Sequence, residues 1–165
     1  MKTLFLVRHA KSSWKDSDLH DKERPLNNRG KRDAPFMGKL LRENGIKLDL
    51  LVSSTATRAV ETARFMARPL KYKASDIVFH ESLYDCTIND ILSVIHGIDD
   101  TFKNAMIIAH NPTITVFSNF IANAALTKFP TCGVLSVECT VESWKEVGKG
   151  SGIVRFFEYP KKYFK

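Results

Sequence analysis

Apolar residues in this chain come in short runs that end at charge, separated by stretches with helical spacing. Thr3 to Val7 (TLFLV) is too short for a helix, rich in β-formers and bounded by charged residues, which predicts a buried strand. Leu48 to Val52, Ile77 to Phe79 and Ala105 to Ala109 repeat that pattern. Phe36, Met37, Leu40 and Leu41 recur at helical spacing, so a helix is expected from Asn27 or Asn28 to about Glu43, ended by Asn44-Gly45. Pro35 lies inside it and predicts a kink or a late start, because proline removes a hydrogen bond. A second helix runs from about Ala56 to Arg68 and stops at Pro69. Thr87-Ile88-Asn89-Asp90 has the form of a capping box with Asp in place of Glu; the helix it opens turns Ile88, Ile91, Leu92 and Ile95 inward. Asn111 as cap and Pro112 at the first position open another.

The far end reads differently. Val134 to Cys139 and Gly152 to Phe157 are strands with Val141 to Val147 between them, and Gly148-Lys149-Gly150 supplies a hairpin turn for the last pair. Lys11 to Arg24 has no apolar periodicity and is a loop. Repeated βα units followed by an antiparallel end predict an α/β fold: a three-layer α/β/α sandwich around a mostly parallel mixed sheet.

Composition narrows the picture. At 165 residues and 44% hydrophobic, the chain is expected to form one domain, residues 1–165, with a sizeable core. No apolar stretch approaches membrane-spanning length, and the run after Met1-Lys2 is too short for a signal peptide, so the expected compartment is the cytoplasm. Cys86, Cys132 and Cys139 are odd in number and lack CxxC spacing, against both a disulfide framework and a zinc site. The net charge of +7 comes from lysines and arginines spread along the chain, apart from small clusters such as Arg29-Lys31-Arg32 and Lys161-Lys162, and the aromatics mostly fall inside apolar runs rather than between basic residues. That pattern favours acidic or phosphorylated partners over nucleic acid.

The chemistry gathers at strand ends. Arg8-His9 follows the first strand, His110 follows Ala105–Ala109, and Ser53-Ser54 leads into the helix that carries Arg58. Ligands of open α/β sheets bind at that carboxyl edge. Arg8 and Arg58 offer planar forks suited to phosphoryl oxygens. His9 suits a nucleophile if one ring nitrogen is free and the other is fixed by a carbonyl, and His110 suits a donor to the same oxygens. His20, His80 and His96 read as surface residues. His9 and His110 have no HxH, HxxxH or carboxylate partner at ligand spacing, and neighbouring arginines repel a cation, so no metal and no cofactor is expected. Walker, dinucleotide, GxSxG and CX5R loops are absent.

The segments LVRHAKSSW (6–14), ERPLNNRGKRDAP (23–35), LLVSSTATRAVETA (50–63), LYD (83–85), IIAHNPTI (107–114) and FPTCGVLSVE (129–138) resemble the histidine phosphatase superfamily, with its phosphoglycerate-mutase-like fold. Within it they are most similar to SixA-type phosphohistidine phosphatases. The resemblance implies His9 as the phosphorylated nucleophile and Arg8, Arg58 and His110 as the phosphate pocket, with no metal. An ambiguous general acid and the short stretch between Asp85 and Ala105 favour phosphohistidine in a protein as the substrate; a small-molecule phosphomonoesterase is the alternative, and a phospho-ligand binding module without catalysis is the alternative of another class. Two positions depart from the family pattern. Ala10 stands where many members carry Gly. Leu83-Tyr84-Asp85 stands where phosphomonoesterases and mutases carry L-x-E, so Asp85 is either the general acid or a solvated loop residue, with Glu81 a weaker candidate.

Overall fold

The computed structural model describes residues 1–164. Six strands form one sheet: β1 (Lys2–Arg8), β2 (Leu50–Ser54), β3 (Val78–His80), β4 (Asn104–Ala109), β5 (Val134–Cys139) and β6 (Gly152–Glu158). Their spatial order is β3-β2-β4-β1-β5-β6. The β1–β4, β2–β4 and β2–β3 pairs are parallel, whereas β5 runs antiparallel to both β1 and β6. The four helices are α1 (Asn28–Glu43), α2 (Thr57–Ala67), α3 (Ile88–His96) and α4 (Thr113–Ala122).

Strand alternation builds two cores, one on each face of the sheet. Phe5, Val7, Leu51, Met106 and Ile108 pack with Met37 and Leu41 of α1 and with Ala59, Ala63 and Met66 of α2. Leu4, Leu6, Val52 and Ile107 point the other way, against Ile91 and Ile95 of α3, Ile114 and Phe117 of α4, and Trp144. The result is the α/β three-layer sandwich with a mostly parallel mixed sheet. No helix among the described residues is long and apolar enough to cross a membrane.

Several boundaries differ from the sequence expectation. The second strand is displaced toward its carboxyl end and includes Ser53 and Ser54, both fully buried. Their hydroxyls are satisfied inside the fold: Ser53 Oγ donates to the Ser54 carbonyl, and Ser54 Oγ accepts from the Ala56 amide. Helix α1 does not start late; it begins at Asn28 and is helical through Pro35, with Asn27 Oδ1 accepting from the Gly30 amide. Asn111 does not cap α4, which begins one residue later with Pro112 at its N-cap; the Asn111–Pro112 peptide is cis. Asn111 instead accepts from the Thr115 hydroxyl through Oδ1 and donates from Nδ2 to the Phe129 carbonyl. The inner face of α3 is Ile91, Val94 and Ile95, with Ile88 and Leu92 only partly covered. The Thr87–Asp90 capping box is present as read. Segment 141–147 holds a 3-10 turn, Trp144–Glu146, so β5 and β6 are joined by a long connection rather than by a tight hairpin turn, with Gly150 at a φ of 71°.

One glycine decides how closely α1 packs against the loop after β1. A Cβ on Gly30 would sit 2.3 Å from the Lys11 carbonyl oxygen, so only glycine lets the first turn of α1 press on the loop after His9. The same contact is closed by the Asn27 amide, which donates to that Lys11 carbonyl at 3.0 Å.

Candidate active site

The parallel strands bring their carboxyl ends together, and four sequence-predicted residues arrive with them. Arg8 ends β1, His9 follows it, His110 follows β4, and Arg58 is the second residue of α2. The His9 and His110 rings lie 5.0 Å apart between centroids. Arg58 Nε approaches His9 Nε2 at 3.4 Å. His9, Arg58 and His110 are each less than a tenth exposed.

His9 is held in one orientation. Its Nδ1 lies 2.7 Å from the Ala10 carbonyl, which can only accept, so Nδ1 carries the proton and Nε2 keeps its lone pair. That carbonyl is itself positioned, because the Ala10 amide donates to Thr62 Oγ1 at 2.9 Å and the Thr62 hydroxyl donates to the Arg58 carbonyl. Thr62 therefore ties the loop after β1 to the helix that carries Arg58. Burial, then the neighbouring His110, push the His9 pKa down to about 3, against the raising effect of the Ala10 hydrogen bond. Burial and Arg58 likewise lower His110 to about 4. Both rings are neutral near pH 7.

His110 Nε2 pairs with Ser54 Oγ at 2.8 Å, while its Nδ1 is buried without a hydrogen-bond partner among the described residues. Arg8 donates from Nη1 to the Phe129 carbonyl at 2.8 Å and leaves its buried Nε equally unpaired. Buried polar atoms are normally satisfied, and two orphans in one small region are uncommon.

Sequence reasoning missed a carboxylate. Asp21, in the polar loop between β1 and α1, accepts from Arg58 Nη1 through its carbonyl (2.7 Å) and from Nη2 through Oδ2 (3.0 Å). Tyr84 donates its hydroxyl to the same Oδ2, and Arg24 donates from Nη1 to Oδ1. Partial burial works to raise the Asp21 pKa, but the hydrogen bonds from Tyr84, Arg58 and Arg24 outweigh it and bring it down to about 2. Arg24, buried, also donates to Ser12 Oγ and stacks on the exposed Trp14 ring. Arg24 and Trp14 lie in matched family segments, which was a signal; Asp21 sits in an aperiodic stretch that carried none.

The two candidate acids fall elsewhere. Glu81 is exposed and pairs with Lys22 Nζ at 2.6 Å; that contact and the Thr55 hydroxyl lower its pKa. Asp85 is exposed, at a φ of 50° that Asp tolerates, and its carboxylate forms no hydrogen bond among the described residues. His20 is exposed, and His80 and His96 are half-buried on other parts of the fold. No group of three or more His, Cys, Asp or Glu side chains converges to hold a metal ion among the described residues.

The chain is similar to several known proteins. Residues 4–91 match the histidine phosphatase superfamily (branch 1). The uncharacterized protein ML1117 of Mycobacterium leprae is 30% identical over 94% of this chain and its own full length. A 2,3-bisphosphoglycerate-dependent phosphoglycerate mutase of Staphylococcus haemolyticus is 37% identical, but over 40% of this chain and 30% of its own. Among solved structures, SixA from Nakamurella multipartitia superposes with a TM-score of 0.85 at 22% identity, covering 96% of both chains. The protein histidine phosphatase SixA complexed with tungstate gives a TM-score of 0.82 at 16% identity, covering 97% of this chain and 98% of its own.

Proposed function

The chain belongs to the histidine phosphatase superfamily, branch 1, and from its site we propose a metal-independent phosphatase that works through phosphorylated His9, with phosphohistidine in a protein as substrate. The observation that carries this reading is the state of His9: neutral, fixed as the Nδ1–H tautomer, with an unprotonated Nε2 whose one contact is the long 3.4 Å approach of Arg58 Nε. Nε2 donates its lone pair to phosphorus, the phosphorus–nitrogen bond of the substrate breaks, and the departing imidazole takes up a proton from solvent. Water then attacks the phosphorus on His9, releasing inorganic phosphate and restoring the free imidazole. Arg8, Arg58 and His110 hold the equatorial oxygens, where charge spreads in a loose transition state. The unpaired nitrogens of Arg8 and His110 are donors that an anion would satisfy, His110 after taking up a proton. Arg58 must exchange its contacts to Asp21 for contacts to phosphate as substrate enters.

The lack of a poised acid supports phosphohistidine. An alkoxide leaves poorly unless a carboxyl or imidazolium hands it a proton, whereas imidazole needs little help. Asp21 is held ionised near pKa 2, Glu81 is engaged by Lys22, and Asp85 lies exposed without a hydrogen bond. Segment 86–103, between Asp85 and β4, is short, holding α3 and no further helix to cover the site. An open edge accommodates a protein-borne phosphoryl group. A phosphomonoesterase of small metabolites, with Asp85 as acid, is the second reading; the local likeness to the phosphoglycerate mutase favours it.

A panel comparing a phosphohistidine protein, an aryl phosphate and sugar phosphates separates the two. The expected order of kcat/KM is phosphohistidine first and sugar phosphates last by about 10²-fold or more, the size of a missing acid. Sugar phosphates turned over as well as phosphohistidine would overturn the choice of substrate, and no turnover of any of them would overturn the enzyme reading.

A further inference from the structure

Beside the His9 pocket, sharing Arg8 with it, lies a cavity of about 480 Å³ that the phosphoryl chemistry does not use. Its walls come from five places: Arg8 at the end of β1 with Lys11 just beyond, Arg29, Arg32 and Asp33 of α1, Asn111 after β4, the 127–131 loop, and Pro160, Lys161 and Phe164 of the last turn. Six cationic side chains face it (Arg8, Lys11, Arg29, Arg32, Lys128 and Lys161) against one carboxylate. That carboxylate, Asp33, is 2% exposed and already engaged by Arg32 at 2.8 Å, so it neutralises little beyond Arg32. Arg29 reaches Asp33 only at 3.9 Å and donates weakly to the Thr131 hydroxyl. Lys11, Lys128 and Lys161 have no side-chain hydrogen bond or ion pair among the described residues.

Like charges gathered on one concave wall repel one another, and among the described residues lining it Asp33 is the one carboxylate that offsets the cost. Such an arrangement is relieved by an anionic ligand. The cavity also exceeds what a phosphoryl group needs, since pockets of about 300–1,000 Å³ accommodate drug-sized ligands. Phe129, Pro130, Pro160 and Phe164 add apolar surface between the cations, suited to the stems and backbone of a peptide.

We propose that this cavity is a second, recognition subsite that binds an acidic segment of the substrate protein flanking the phosphorylated histidine. The assignment rests on the phosphoprotein reading above for its choice of occupant. Arg8 lies between the two sites, donating to the Phe129 carbonyl in the cavity wall, so a chain whose phosphoryl group reaches His9 passes directly over the basic surface. Glutamates and aspartates beside the phosphohistidine meet Lys128, Lys161 and Arg29, and the net charge of +7 draws such a surface in.

Direct binding tests the subsite without asking for turnover. Calorimetry with an unphosphorylated, glutamate-rich peptide centred on histidine should show binding that weakens steeply with salt. The double variant Lys128→Ala/Lys161→Ala should weaken it about tenfold, since each lost contact is a solvent-exposed pair. The charge-reversing Lys128→Glu/Lys161→Glu should weaken it further; circular dichroism and thermal melting confirm that both variants fold. Equal affinity for acidic and neutral peptides, or no change in the double variants, would overturn the proposal. Inorganic pyrophosphate binding in a Lys128- and Lys161-dependent way while the acidic peptide fails to bind would overturn the peptide assignment. With the phosphorylated peptides, the preference in kcat/KM for acidic over neutral flanks should fall toward one in the double variant. Absence of turnover with intact peptide binding would count against the phosphatase reading alone.

Discussion

Two neighbouring sets of cations, the His9 pocket and the basic cavity beside it, are built in opposite ways. In the pocket, Arg58 is buried and each of its nitrogens has a partner: Asp21 twice and His9 once. His9 and His110 are driven by burial to pKa values of about 3 and 4. In the cavity, Arg29, Arg32, Lys128 and Lys161 are exposed, and Lys128 and Lys161 make no side-chain hydrogen bond or ion pair among the described residues. Burial fixes direction and protonation state, which suits chemistry at one atom; exposure leaves charge adaptable and screened, which suits recognition. The difference teaches that the same residue types do different work according to how much water they keep.

The largest effect expected is at the buried end. His9→Ala should abolish turnover while the protein stays folded, with no acid-labile phosphate trapped by rapid quench; wild-type-like activity would remove His9 from the mechanism. The same variant sharpens the electrostatic side. Because the folded-state pKa values of His9 and His110 lie below the ordinary 6.5, the unfolded chain binds more protons between pH 6.5 and 3. Stability should therefore fall as pH drops through that window, and fall less steeply in His9→Ala. Identical acid-denaturation slopes in the two proteins would show that the ring is not held neutral by burial.

Arg58→Ala comes next. Losing a charge-assisted contact costs about 1.5–3 kcal/mol, roughly tenfold or more in kcat/KM. If the contrast between the two regions holds, that loss persists at high salt, whereas the effect of the cavity lysines fades. Parallel salt dependence in both sets would break the comparison. The smallest effect is expected from Asp85→Asn: all substrates should change by the same factor, less than about twofold. A selective loss on sugar phosphates alone would instead make Asp85 the general acid and favour the metabolite phosphatase.

Much of this was legible in the chain. The runs ending at Val7 and Ala109, and the helical spacing through Leu40 and Leu41, gave the α/β layers because burial periodicity is a local property of sequence. Arg8, His9, Arg58 and His110 stood out because each follows a buried run, and parallel strands must deliver their carboxyl ends to one edge. Less legible were features in which a polar residue is satisfied by something distant. Ser53 and Ser54 lie past the strand end expected at Val52, yet they belong to β2, since Ser53 pairs with Ile108 in the sheet and the Ser54 hydroxyl meets His110. Asp21 gave no local sign of its contact with Arg58, and Thr62 none of its grip on Ala10.

By itself, the sequence determined the order and kind of most elements, the strand-end placement of Arg8, His9 and His110 and the basic charge of the whole. These follow from spacing, propensity and composition, which do not depend on what lies across the fold. Only the tertiary structure decided which histidine nitrogen is free, how far burial lowers each imidazole, where Asp21 sits, and that cations from α1, the 127–131 loop and the C-terminal turn share one cavity. Protonation, orientation and charge density depend on distances between groups far apart in the chain, and only packing sets those distances.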